Sequence, residues 1–210
     1  NDSYDIDSAN LVLDYDLNTS TEISLITRVF TSENEEDDAP LGPFLDADRS
    51  SNLLDWQSAL SLNKKYELFS VNASIETARA RRYQSKNARK FRWYIADLNV
   101  GKLKFTVPLN TKEKFIFGVE TERAHMDTQD QYNAYDFKVS SSSSFYSYTN
   151  NTIKNLFLDG SFRSNHHDLF GLSTTYRVAA SYIIADSGFR LHSSFGTGYR
   201  APTLDEIYGS

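Results

Sequence analysis

Apolar and polar side chains alternate along much of this chain. In residues 54–62 the even positions are mainly leucine or tryptophan and the odd positions are mainly polar, and the same alternation recurs at 115–122, 175–184 and 189–196. Successive side chains of a strand point to opposite faces, so this period of two predicts strands with one apolar and one polar face. No segment longer than a turn carries the apolar stripe and caps of a helix.

The alternating runs predict an all-β fold in which ten strands form an antiparallel, up-and-down meander. The predicted strands are 6–17, 21–31, 52–63, 67–80, 90–106, 114–125, 144–149, 153–164, 173–185 and 189–199. Most of them exceed the ~5–6 residues usual in soluble sheets. They are also long enough for a tilted strand to cross a bilayer, which takes ~9–11 residues.

Short and long connections alternate between these strands. Tight segments rich in Asn, Ser, Gly and Pro fall at 18–20, 63–66, 108–113, 150–152 and 186–188, and longer ones at 32–51, 81–89, 126–143 and 165–172. In an up-and-down sheet, every tight turn then lies on one rim and every long loop on the other. Outer-membrane barrels have this asymmetry, with short periplasmic turns and longer outer loops. The pattern therefore predicts a transmembrane β-barrel.

A soluble β-sandwich, such as an adhesin or binding module, is the alternative fold. Aromatic residues lie toward strand ends, among them Tyr15, Trp56 and Trp93, where a membrane barrel places its interfacial girdles. They could also form the core of a sandwich. Charged residues such as Glu120 and Arg163 on the polar face favour a wet barrel lumen instead.

Composition excludes several functions. The 22 basic and 28 acidic residues give a net charge of -6, which argues against nucleic acid as a partner. The basic residues between Arg79 and Lys90 are expected in a solvated loop. Cysteine is absent, which excludes disulfides and a cysteine nucleophile. The first residues show neither an initiator methionine nor a signal-peptide pattern, so we expect an internal part of a longer protein.

The segment "HSSFGTGYRAPTLDEIYGS" (192–210) resembles a motif of TonB-dependent outer-membrane transporters. The matching positions are Ser194, Gly196, Tyr199, Arg200, Ala201, Pro202, Glu206 and Tyr208. We expect Gly196 and Gly198 to leave room for a large side chain across the lumen, and Pro202 to end the strand ladder because it lacks a donor. Residues 115–125 and 156–171 resemble further strands of the same family.

The resemblance implies a barrel of about 22 strands whose lumen is plugged by a separate domain. Residues 1–210 would then be one internal barrel segment, with the plug domain and the remaining strands absent. It implies a bacterial outer-membrane receptor rather than an enzyme. The expected partners are outer-membrane lipid, a metal chelate, and TonB through the absent plug domain.

Within the family, the first half resembles the cobalamin transporters, which implies cobalamin as cargo and calcium as a bound ion. An acidic pair opens the first strand, and the acidic segment 33–48 ends near it on the outer rim. The expected calcium ligands are Asp5, Asp7, Glu35, Asp37, Asp38 and Asp46. A solvated acidic loop is the alternative, and a ferric siderophore is the alternative cargo.

Two other groups of residues are weaker candidates. His166, His167 and Asp168 are interpreted as a polar loop tip rather than a metal site, because no further histidine lies at ligand spacing. His192 and Ser193 should point to opposite faces of their strand, which excludes a Ser–His hydrolase pair. The serines at 140–144 are expected in a mobile loop.

Overall fold

The computed structural model describes residues 4–38, 45–86, 89–129, 133–184 and 188–208, without the side chains of 36–38, 45–48, 89, 91, 205 and 208. Within these ranges lie ten strands and one short helix. They are β1 (Tyr4–Asn18), β2 (Thr21–Asp38), β3 (Leu45–Lys65), β4 (Ser70–Lys86), β5 (Arg89–Pro108), β6 (Glu113–Gln129), β7 (Ala134–Asn150), β8 (Leu156–His167), β9 (Gly171–Ile183), β10 (Arg190–Gly196) and α1 (Leu204–Tyr208).

All ten strands belong to one antiparallel sheet in the order of the chain, from β1 to β10. Each predicted strand corresponds to one observed strand, so the predicted all-β meander is confirmed. A soluble sandwich requires a second sheet packed on the first, and the described residues form only one sheet. None of the described helices has the length and apolar character of a membrane span.

Cross-strand register sorts the side chains into two faces. One row of paired positions runs through Ile23, Leu62, Ala73, Leu103 and Val119, all apolar. The next row runs through Ser24, Ser61, Ser74, Lys102, Glu120, Ser143, Asn165 and Ser173, all polar. We call the side of the first row the apolar face and the side of the second row the polar face.

The sheet buries very little of its apolar surface. Among the described residues, Met126 is the only buried hydrophobic side chain, with 1% of its surface exposed. Leu13, Ile75 and Val119 on the apolar face are more than half exposed, at 53%, 66% and 55%. Removing apolar surface from water is worth about 25 cal/mol per Å². The apolar face is therefore stable only in contact with another apolar phase.

Asparagine side chains shape three of the tight turns. The side-chain oxygen of Asn18 accepts a hydrogen bond from the Ser20 N–H (2.9 Å), and Asn110 accepts one from Lys112 (2.8 Å). Asn150 accepts in the same way from Thr152 at 3.0 Å. These Asx turns reverse the chain within a few residues. They occupy one rim, as predicted.

The other rim differs from the prediction. Most of the expected loops at 32–51, 81–89 and 126–143 continue as strand, and the serines at 140–144 pair with β6 and β8. The basic residues Arg79, Arg81 and Arg82 likewise lie within β4. At 81–86 and 140–144 both faces of the sheet carry mainly polar side chains, so the alternation that marks a half-buried strand disappears there. The backbone ladder does not depend on that alternation and continues.

Candidate functional site on the polar face

A carboxylate with two cations occupies the middle of the polar face. Glu120 on β6 lies 3.2 Å from the Lys102 ammonium on β5 and also binds the Nη2 group of Arg163 on β8. Its side chain is largely shielded, at 17% exposed, whereas that of Arg163 is 42% exposed. A shielded carboxylate requires such partners to offset its lost hydration. Glu120 therefore fixes the position of Arg163.

An aromatic ring lies beside this cluster. Phe145 on β7 is paired with Gly118 on β6, and the Lys102 ammonium is 5.6 Å from the centre of its ring. A Cβ at Gly118 would collide with the Phe145 ring and with the carbonyl oxygen of Leu103. Glycine is therefore required at this position, because it leaves space for the ring of Phe145.

Gly196 ends the ladder between β9 and β10, where it pairs with Arg177. A Cβ on Gly196 would lie 2.7 Å from the carbonyl oxygen of Tyr176 and 3.1 Å from the Cα of Arg177. The close approach at Gly196 is made by the backbone of the neighbouring strand. At Gly198 nothing lies within 4 Å of an added Cβ. Room for a large side chain across the lumen stays a prediction for both glycines.

Thr197, the residue after β10, still forms hydrogen bonds to β9, but not in the regular pattern of the sheet. Its N–H donates to the Tyr176 carbonyl oxygen (2.9 Å), and its hydroxyl accepts from the Tyr176 N–H (3.1 Å). A side chain thus replaces one backbone partner, and the chain leaves the sheet beyond this residue.

Glu206 of the motif belongs to a helix cap. The Glu206 N–H donates to the Thr203 hydroxyl (3.2 Å), and the Glu206 carboxylate accepts from the Thr203 N–H (2.8 Å). This reciprocal pair is a capping box, with Thr203 as the cap of α1 and Pro202 just before it. The other carboxylate oxygen binds Arg200 at 2.7 Å. The structure therefore joins Arg200 and Glu206 of the predicted motif.

The Glu206 carboxyl has a pKa below its usual range. The Thr203 N–H is the main cause, followed by the Arg200 guanidinium. Both interactions favour the ionised form. The sequence carries the signal for this cap, because Thr203 is followed three residues later by Glu206. Of the other motif positions, Ser194 lies on β10, and Tyr208 ends α1 with a side chain outside the described set.

The segment after β10 lies against the polar face, and an open cavity of about 770 Å³ lies between them. Tyr199, Ala201 and Pro202 line the cavity from the segment. From the sheet the lining includes Glu122, Met126, Ser141, Arg163, Asn165, His167, Ser173 and Thr175. Three of these, Arg163, Asn165 and His167, are successive same-face positions of β8. Asp55 also lines the cavity, so with Glu122 and Arg163 its wall carries charged groups of both signs.

The expected calcium ligands are only partly described. Asp5 stands directly opposite Glu33, and Asp7 stands opposite Thr31, so both share a face with Glu35. The side chains of Asp37, Asp38 and Asp46 lie outside the described residues. Among the side chains that are described, no three or more acidic, histidine or cysteine residues are grouped to hold a metal ion. Calcium binding stays a prediction.

The prediction of a loop tip is wrong for His166 and His167, whereas the prediction for His192 and Ser193 is confirmed. His166 and His167 belong to β8 rather than to a loop tip, and they point to opposite faces. Asp168 follows the strand, where its carboxylate accepts from the Ser140 N–H at 3.0 Å. His192 and Ser193 occupy adjacent positions of β10 and therefore also point to opposite faces, as predicted.

Comparison with protein families matches residues 1–210 to "TonB dependent receptor-like, beta-barrel". The chain belongs to this family. The TonB-dependent receptor barrel places its apolar face toward lipid and its polar face toward the lumen. The Glu120 cluster, the cavity and the capped segment are thus lumenal. The chain is part of a bacterial outer-membrane protein.

Solved structures show the same fold at low sequence identity. The siderophore receptor PirA from Pseudomonas aeruginosa is similar over 96% of this chain and 34% of its own, with 12% identity and a TM-score of 0.78. The copper transporter OprC is similar over 98% and 39%, with 13% identity and a TM-score of 0.77. The RagAB peptide transporter is similar over 92% and 32%, with 10% identity and a TM-score of 0.71. The TonB-dependent receptor segment thus spans about a third of these structures.

Proposed function

We propose that residues 1–210 form an internal part of a receptor barrel that imports a metal chelate across the outer membrane. The complete receptor would contain the remaining strands and a plug domain, and TonB would supply energy through that plug. Two similar structures carry names that support a metal-containing cargo, a siderophore receptor and a copper transporter. We assign no catalytic role to the chain.

The observation that carries this proposal is the separation of the two faces. An exposed apolar face suits lipid, and the polar face holds charged groups that keep a lumen hydrated. Within that lumen, the cavity beside Arg163 has room for a small chelate and offers several hydrogen-bond donors. A solute could therefore be held at the lumen wall before it moves inward.

A ferric siderophore is the cargo that the name of PirA favours. Cobalamin is the second candidate, and it rests on the acidic positions Asp5 and Asp7. Asp5 faces Glu33 across the first strand pair, an arrangement of like charges that a divalent cation would stabilise. The two cargoes make different predictions for uptake.

The test is growth of a bacterial strain that lacks its own receptors and produces the complete receptor. We expect growth on ferric siderophores as the sole iron source, and loss of that growth when TonB is deleted. Growth rescue on cobalamin alone would favour the second candidate. Failure to take up any metal chelate, with the barrel correctly inserted, would overturn the proposal.

A further inference from the structure

The two sides of the barrel wall exchange their polarity toward the rim opposite the tight turns. On β5 and β6 there, the lumenal positions Leu98 and Ala124 are apolar, whereas Asp97 and His125 point to the outside of the wall. Nearer the tight turns the order is reversed, with the apolar row outside and the polar row in the lumen. Charged groups on the outside do not lie in hydrocarbon, so the exchange marks the outer edge of the apolar band.

Arg123 points outward at this edge. It is ten positions beyond Glu113, where β6 begins. Ten residues of a strand tilted by ~40° rise roughly 25 Å, which is the height of the apolar band of an outer-membrane barrel. Across the strands Arg123 pairs with Asn99 and Ser140, and Asn99 pairs with Thr77. These four positions supply hydrogen-bond donors and one positive charge, with no carboxylate among them.

The guanidinium of Arg123 is available to a ligand. The residue is exposed, and within the described ranges it has no ion-pair partner. Three carboxylates point outward in rows farther from the tight turns, those of Asp97, Asp127 and Asp136. Asp97 binds Arg79, with 3.0 Å between Oδ2 and Nη2, and Asp136 lies 3.8 Å from the Lys138 ammonium. Two of the three are thus offset by cations of their own.

An open depression of about 950 Å³ lies on the outside of the wall, next to Arg123 on the side of the tight turns. Its volume is within the ~300–1,000 Å³ of ligand sites. The lining nearer the tight turns includes Leu62, Leu103 and Val119. The lining nearer Arg123 includes Thr121, Ser142 and His166, with Gly101 in the same row. The surface is therefore first apolar, then rich in hydrogen-bonding groups, then cationic.

The depression is wide. The row from Leu60 through Gly101 to Leu172 crosses the seven strands β3 to β9. Six strand spacings of ~4.8 Å give a width of roughly 29 Å. This width and the order of polarity suit a lipid with several acyl chains, amide or ester linkages and a phosphate, arranged in that order toward the outer rim.

We propose that the depression binds lipid A of the outer leaflet, with acyl chains over Gly101 and a phosphate on Arg123. The rim opposite the tight turns is the outer one in membrane barrels, so the site is in the leaflet that contains lipid A. Basic side chains at a membrane surface attract anionic headgroups. The inference goes beyond the proposed transport function and does not depend on the cargo.

The experiment measures lipid binding to the complete, detergent-purified receptor by native mass spectrometry. The probes are lipid A with two phosphates, dephosphorylated lipid A and phosphatidylglycerol. We expect the wild-type receptor to bind phosphorylated lipid A most tightly, about tenfold more tightly than the dephosphorylated form, which corresponds to ~1.4 kcal/mol. Arg123→Gln should remove this tenfold difference, and Arg123→Lys should keep part of it. Gly101→Leu and Ser142→Leu should weaken both forms of lipid A, because they fill the depression.

Two variants are matched controls. Arg177→Gln changes a lumenal arginine, and Gly160→Leu changes a strand glycine that points outward but does not line the depression. Both should bind lipid A like the wild type, and the heat-modifiable band reports that each variant is folded. Equal binding of the two lipid A forms by the wild type would overturn the proposal, as would a tenfold difference that persists in Arg123→Gln. Tighter binding of phosphatidylglycerol, or equal losses in Gly101→Leu and Gly160→Leu, would overturn it too.

Discussion

The ring of Phe145 lies over Gly118, the residue that faces it across the β6–β7 pair. Gly118→Ala should destabilise the barrel by about 1–3 kcal/mol, because an added methyl group meets backbone as well as the ring. The measurement is the temperature at which the folded receptor loses its heat-modifiable band on a gel. We expect a clear decrease for this variant.

Gly160→Ala is the control for that variant. Gly160 is also a strand glycine, but nothing lies within 4 Å of an added Cβ there. We expect its unfolding temperature to be unchanged or slightly raised, because alanine reduces the freedom of the unfolded chain. Equal losses in both variants would contradict the packing explanation.

Gly196→Ala should loosen the end of the β9–β10 pair, since its Cβ would press on the Tyr176 carbonyl oxygen at 2.7 Å. The reciprocal hydrogen bonds between Thr197 and Tyr176 should weaken with it. We expect amide exchange in peptides covering 190–200 to accelerate about tenfold, the effect of ~1.4 kcal/mol. In Gly198→Ala the added methyl group has open space around it, so the same peptides should exchange their amide hydrogens at the wild-type rate.

The capping box of α1 should depend on pH. The Thr203 N–H and Arg200 lower the pKa of Glu206, so the stabilisation is present above the ordinary carboxyl range of about 4. It is lost as the pH falls through the lowered pKa. A spin label at residue 207 should therefore be restricted at pH 7 and become mobile only in acid.

Glu206→Ala should leave that label mobile at every pH. A transition in the wild-type protein between pH 5 and pH 7 would show that another group controls the segment, since a lowered carboxyl pKa cannot titrate there.

Calcium should tighten chelate binding if the acidic rim holds the ion. Asp5 opposite Glu33 places like charges together, and a divalent cation removes that repulsion. Asp7→Asn and Asp46→Asn should each abolish the calcium-dependent gain in affinity while the barrel stays folded. Asp14→Asn, farther along β1, should keep it. Binding that is indifferent to a calcium chelator would identify the acids as a solvated rim.

Topology can be tested with single cysteines, because the chain has none of its own. Single cysteines that replace Asn133 or Leu169 should react with a membrane-impermeant reagent on intact cells. Cysteines at Lys64 and Asn151, on the rim of the tight turns, should react only after the outer membrane is opened. If the cysteines on the rim of the tight turns reacted in intact cells and the others did not, the barrel would have the opposite orientation in the membrane.

The sequence predicted the centres of the strands better than their ends. Leu60 and Leu62 alternate with polar residues because one face there meets lipid, and that contrast is visible in the sequence. At Ser140–Ser144 both faces are polar, so only the backbone ladder defines the strand, and a ladder leaves no mark on composition. The basic residues of β4 were predicted to lie in a loop for the same reason, because both faces of the strand are polar there.

The lumenal site was only partly predictable. Arg200 and Glu206 were found as motif positions, but their contact depends on the turn at Pro202 and Thr203. The row of Ser143, Asn165 and Ser173 joins three strands, and its register follows from hydrogen bonds between distant parts of the chain. Single-strand patterns carry no information about such a row.

The unbroken strand order from β1 to β10 also has a consequence for how the barrel is built. Every strand pairs with its neighbour in the chain, so no pairing has to close a long loop, and the entropic cost of each added hairpin is small. Assembly can therefore advance one hairpin at a time. At each stage the unpaired N–H and C=O groups, which cost several kcal/mol each in hydrocarbon, lie on the first strand and on the leading strand alone. Shielding one fixed and one moving edge is therefore enough to carry the whole sheet into the membrane.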